Sequence, residues 1–167
     1  MTDTLHPASL ASPGRATVLI APERVARDAF ARLADPGEGA LLLFICGNFS
    51  RLLSRLPRRS RDFHMQRAFT AHQLLTALEE AYHTVVWVEH DPSLYTGVDP
   101  ALVRRIADAL CDAARSSAVI LSAPRYTGTV RTFARGAGRI ITVLPAESSG
   151  SSWSYQRSQA TLAEFGR

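Results

Sequence analysis

Six short apolar runs recur along the chain, most of them separated by segments of helical period, and this alternation limits the fold more than any other feature. Thr17-Val18-Leu19-Ile20 forms the first run and stops at Ala21-Pro22. Val25, Ala26, Ala29, Phe30 and Leu33 then follow helical spacing as far as Pro36-Gly37. Leu41 to Cys46 is apolar throughout, as a strand covered on both faces must be. Gly47-Asn48 leads into an expected short basic helix with Leu52, Leu53 and Leu56, ending near Pro57. Asp62 to Gln66 reads as a third strand.

Thr70-Ala71-His72-Gln73 has capping-box spacing, with Leu74, Leu75, Leu78 and Tyr82 as the stripe behind it. Val85 to Val88 is a fourth strand, closed by Glu89-His90-Asp91-Pro92. Asp99-Pro100 starts a helix with Leu102, Val103, Ile106, Ala107, Leu110 and Ala114 on one face. Ala118 to Leu121 and Arg139 to Leu144 are the fifth and sixth strands. Strands joined through single helices call for crossover connections, so the expected fold is three-layer α/β/α around a mainly parallel sheet.

Composition narrows the function classes. With 167 residues, 46% hydrophobic and 20% charged, the chain can build a core without metal or disulfide staples. Cys46 and Cys111 make no CxxC pair, which fits a reducing compartment. No run approaches a membrane span and Met1 to Pro13 lacks a signal-peptide pattern, so a cytoplasmic location is expected. All 19 basic residues are arginine, and the net charge is +4. Without lysine, Schiff-base chemistry and a P-loop lysine are excluded. Residues 1–14 read as a flexible arm, 15–146 as the α/β domain, 147–155 as a Ser/Gly-rich linker and 156–167 as a tail.

Ligands of parallel α/β sheets bind beyond the carboxyl ends of the strands. Cys46-Gly47-Asn48, Glu89-His90-Asp91 and Ser122 to Arg125 occupy such ends. Glu89 and Asp91 are the candidates for a metal ligand or a general base, against the ordinary reading of a polar strand end and turn. His64 and His72 lack metal-ligand spacing and read as surface or packing residues. Ser9, Ser50 and Ser122 have no GxSxG setting, and Gly136-Ala137-Gly138 precedes a strand rather than a helix. No metal site or cofactor is expected. Arg51, Arg55, Arg58, Arg59 and Arg61, with Arg67 nearby, form either a DNA-phosphate patch or a solvated face.

Residues 41–144 resemble the core of a RecA-like recombinase of the archaeal paralogue type. The resemblance rests on Leu42 to Asn48, Arg67 to Leu75, Val85 to Glu89 and Ala118 to Pro124, with Arg67-Ala68-Phe69-Thr70-Ala71-His72-Gln73-Leu74 its most specific stretch. It implies a P-loop NTPase-like core whose phosphate loop belongs between the first strand and helix. Here that junction is Ala21-Pro22-Glu23-Arg24, which lacks glycine, lysine and hydroxyl. The resemblance therefore implies a member without ATP hydrolysis.

Ser158 to Arg167 resembles the peptide that binds the sliding clamp PCNA. Gln159, Leu162 and Phe165 have its spacing, which one tight helical turn would gather on one side. Gly166 replaces the usual second aromatic. The expected function is thus a non-catalytic DNA replication or repair accessory protein that binds PCNA and contacts DNA or a recombinase. The alternatives are a divergent ATPase or metal-dependent nuclease using Glu89 and Asp91, and a structural subunit of a recombinase-paralogue complex.

Overall fold

Alternation along the central strands sends successive side chains to opposite faces, and both faces are apolar. In β1 (Ala16–Ile20), Val18 and Ile20 join one buried cluster while Leu19 joins another. β2 (Leu42–Cys46), β4 (Val85–Glu89) and β5 (Ala118–Ala123) divide in the same way. A sheet apolar on both sides needs a cover on both sides. The computed structural model, which describes residues 10–34, 40–53, 62–145 and 153–156, has that arrangement.

The sheet has the order β3-β2-β4-β5-β1-β6-β7. Six strands, including β3 (Phe63–Arg67) and β6 (Arg139–Pro145), run parallel. β7 (Trp153–Gln156) pairs antiparallel with β6, Val143 opposite Tyr155. One face carries α1 (Glu23–Ala34), packed through Ala26, Ala29, Phe30 and Leu33. The other carries α2 (Ala71–Glu79), α3 (Pro100–Ala113) and α4 (Gly128–Gly136). The fold is three-layer α/β/α.

The direction of travel explains the two layers. From β1 to β2 the chain crosses two strand positions one way, with α1 on one face. From β3 to β4, β4 to β5 and β5 to β6 it moves the other way, with helices on the opposite face. Reversing direction while changing face keeps every crossover of one hand. Connections leaving the adjacent ends of β1 and β5 thereby pass to opposite faces, which opens a crevice between them.

Several expectations change in detail. Residues 48–52 make bends rather than the start of a helix, and the third strand is shifted by one residue. Thr70 caps α2 by accepting from Gln73 N, but the Gln73 side chain accepts from Phe69 N rather than Thr70 N. Tyr82 lies beyond α2 and is exposed, so it is not part of the stripe. Helix α4 has no counterpart in the sequence reading. Part of the expected N-terminal arm is packed: Leu10 is 1% exposed, and Gly14 N donates to Ala114 O at 2.7 Å. Trp153–Gln156, taken from the sequence as the end of the linker and start of the tail, adds a strand to the sheet.

Candidate functional site

The ends of four strands converge on a cavity of about 400 Å³ at the carboxyl edge of the sheet. Its wall includes Ala21 and Glu23 after β1, Asn48 and Phe49 after β2, Glu89 and Asp91 at the end of β4, and Ser122 to Pro124 at the end of β5. This is the crevice that the reversal of strand order creates.

Glu89 is committed to holding the loop after β2. Its two carboxylate oxygens accept from Ser50 Oγ at 2.5 Å and from Arg51 N at 2.8 Å. Burial raises the Glu89 pKa, while these two hydrogen bonds and the Arg51 charge act against that shift. Arg67, at the end of β3, fastens the same loop by donating from Nη1 to Asn48 O at 2.6 Å. Phe49 lies between these attachments and remains 83% exposed.

Asp91 caps the 3-10 turn Pro92–Tyr95, its Oδ1 accepting from Ser93 N at 2.9 Å and Ser93 Oγ at 2.7 Å. The other side of the carboxylate presses on Gly47. A Cβ at position 47 would lie 2.0 Å from Asp91 Oδ2, so glycine is needed for this close approach. Cys46, one residue earlier, is buried, and burial raises its thiol pKa to about 11, which keeps it a thiol at neutral pH.

Between the two acids, His90 turns inward and is only 7% exposed. Its ring stacks on Tyr95 at 5.3 Å and meets the edge of Phe133 at 6.3 Å. Its Nδ1 and the Tyr95 hydroxyl are buried without a hydrogen-bond partner. Burial lowers the His90 pKa to about 4, against a smaller opposing pull from Asp91, and raises that of Tyr95. The strand end is rigid on the β5 side as well. Trp87 Nε1 donates to Ser122 Oγ at 2.8 Å, and His90 N donates to Ser122 O at 2.9 Å.

The structure therefore brings Glu89, Asp91 and Arg51 together at one crevice. Arg55, Arg58, Arg59, Arg61, Gln159, Leu162 and Phe165 lie outside the described residues. No group of three or more His, Cys, Asp or Glu side chains able to hold a metal ion occurs among the described residues. His64 and His72 do not approach as a pair of ligands. His64 instead contacts His83, Nδ1 to Nε2 at 2.8 Å, and burial together with the His64 ring lowers the His83 pKa. Sequence reading missed Phe49, Ser50, His83 and His90 because each acts through a long-range contact that has no local pattern.

No helix among the described residues is long and apolar enough to cross a membrane. No family model matches the chain. A protein of Archaeoglobus fulgidus described as uncharacterized is 37% identical over 57 residues, or 34% of this chain. The match covers 28% of that protein's length.

Proposed function

We propose that the chain is a RecA-like domain without nucleotide chemistry, serving as an accessory protein in DNA replication or repair and held on the sliding clamp PCNA through Gln159, Leu162 and Phe165. The observation that carries the non-catalytic part is the employment of Glu89. A carboxylate that takes one hydrogen bond from Ser50 and one from Arg51 N is acting as a loop anchor. The β1–α1 junction supports the same reading. It opens on the crevice where the resemblance puts a phosphate loop, yet it brings Glu23, a charge that repels a triphosphate. The α/β/α architecture and the central position of β1 in a parallel sheet are compatible with a RecA-like core. The clamp part stands on the spacing of the tail in the sequence.

Because Trp153–Gln156 pairs with β6, the clamp peptide proper begins after Gln156. Calorimetry of the whole chain with PCNA should give micromolar binding, since a short segment must be ordered and Gly166 forgoes an aromatic anchor. Deleting residues 157–167 should abolish that heat, and Phe165→Ala should cost about 2 kcal/mol or more. Unchanged binding by the truncated chain would remove the clamp reading. The enzyme reading is favoured by one observation, the place of Glu89 and Asp91 on the crevice. ATP or DNA hydrolysis that disappears in Glu89→Gln would establish it in place of the accessory role.

A further inference from the structure

Large apolar side chains left in water are informative when they gather in one region. Five described residues of this kind are exposed: Phe49, Met65, Phe69, Tyr82 and Tyr126. Three of them, Phe49, Phe69 and Tyr126, follow the carboxyl ends of β2, β3 and β5. They are 83%, 58% and 44% exposed. Each has an exposed arginine within two positions: Arg51 beside Phe49, Arg67 beside Phe69, and Arg125 beside Tyr126. Tyr82, at the opposite end of the sheet, follows Glu79 and Glu80 and has no such neighbour in sequence.

The backbone beside each of the three aromatics is fastened. Phe49 sits between the Arg67 bond to Asn48 O and the Glu89 bonds to Ser50 and Arg51. Phe69 N donates to Gln73 Oε1 at 2.7 Å. Tyr126 precedes Thr127, whose side chain caps α4 by accepting from Val130 N. The segments are thus set before any partner arrives, which lowers the ordering cost of binding.

We propose that this edge binds single-stranded nucleic acid, with Phe49, Phe69 and Tyr126 as stacking platforms and Arg51, Arg67 and Arg125 as phosphate contacts. Aromatic faces accept any base, and arginines track the backbone, so binding is sequence-tolerant and salt-sensitive. The span suits a short strand. β3, β2, β4 and β5 are consecutive in the sheet, so their ends extend over roughly 14 Å at the usual strand spacing. That distance accommodates about four stacked nucleotides at 3.4 Å each. Glu23 and Asp91 lie on the same edge in the crevice, so the phosphates must pass along the rim and leave the cavity to uncharged groups. A duplex hides its base faces inside the stack and offers the three rings nothing to cover. The inference deepens the nucleic-acid part of the function proposed above and is independent of the clamp tail.

Fluorescence anisotropy with the whole chain tests it, using labelled oligothymidylate and oligouridylate of about twelve nucleotides and a duplex of equal length. Single strands should bind at least tenfold more tightly than the duplex, and comparison of the two single strands distinguishes DNA from RNA. Phe49→Ala should weaken single-strand binding about tenfold and leave the salt slope unchanged. Arg51→Gln with Arg125→Gln should reduce that slope by about two. Equal affinity for duplex and single strand, or a Phe49→Ala variant that binds as well as the parent, overturns the inference. Loss of clamp binding on deletion of residues 157–167 without change in oligonucleotide affinity would leave both proposals standing. Clamp binding in a chain that binds no oligonucleotide at low salt would leave only the first.

Discussion

The end of β4 and the loop after β2 meet at the same crevice, yet they use their residues in opposite ways. Glu89, His90 and Asp91 are polar, and the structure employs them as internal parts: a loop anchor, a stacked ring and a turn cap. Phe49 is apolar and stands in water on a backbone that those polar residues help to hold. Burying polar groups costs stability unless they are partnered, whereas exposing an aromatic forgoes burial. Polarity alone is thus a poor guide to which residues serve a ligand here. The buried acid builds the site, and the exposed ring is what a partner would meet.

The largest effect expected from this contrast concerns His90. Its pKa is lowered from 6.5 to about 4 because the folded protein disfavours the charged ring. Between those two values the unfolded chain binds more protons than the folded one, so stability rises with pH and is lost as pH falls from about 6.5 toward 4. At 1.4 kcal/mol per unit the loss attributable to this group is of order 3 kcal/mol. Denaturant titrations at a series of pH values should show it, and His90→Phe should flatten the curve over that window. Glu89 acts in the other direction: its raised pKa makes the folded state the stronger proton binder, so its contribution declines as pH rises through the shifted value. A parent and a His90→Phe variant with the same acid slope would show that the buried ring is not responsible.

A smaller effect tests how closely the two regions are fitted together. Gly47→Ala would put a methyl group 2.0 Å from Asp91 Oδ2 and 2.8 Å from its Cβ. Because Asp91 is held by both polar groups of Ser93, it cannot simply swing away. The substitution should cost about 2 kcal/mol, in the range for forced overpacking. Asp91→Gly should recover part of the cost in the double variant, giving a coupling of about 1 kcal/mol between the two positions. Additive effects in thermal or denaturant melts would mean that the loop relaxes independently of β4.

Much of this arrangement was legible in the sequence, for identifiable reasons. The central strands are wholly apolar, and Thr70, Asp99 and Pro100 mark helix starts with local chemistry that the structure retains. Helix α4 was not legible: Val130, Phe133 and Ala134 supply only one turn of pattern, between Gly128 and Gly136. β7 was hidden by the Ser/Gly stretch before it, because strand pairing across a long connection leaves no trace in local composition. Glu89 and Asp91 were recognisable as strand-end acids, but what they bond to was not. Ser50 lies 39 positions from Glu89, and only the β2–β4 pairing brings them together.

The smallest expected effect separates a group placed for folding from one placed for a partner. Phe49 is 83% exposed, so Phe49→Ser removes little that the folded chain buries. Its neighbours keep their bonds, since Asn48, Ser50 and Arg51 contribute backbone or hydroxyl atoms that the substitution leaves alone. Stability should therefore change by no more than about 0.5 kcal/mol, as at ordinary surface positions. A fall of about 2 kcal/mol on chemical denaturation would show that the ring packs against the protein in solution. The contrast between the two regions would then disappear, because Phe49 would be a structural residue like Glu89. An unchanged melt together with a loss of oligonucleotide binding is the combination that assigns the ring to recognition. No arrangement in which Phe49 serves the core produces both results, since a core residue lost to serine lowers the melt whatever it does to binding.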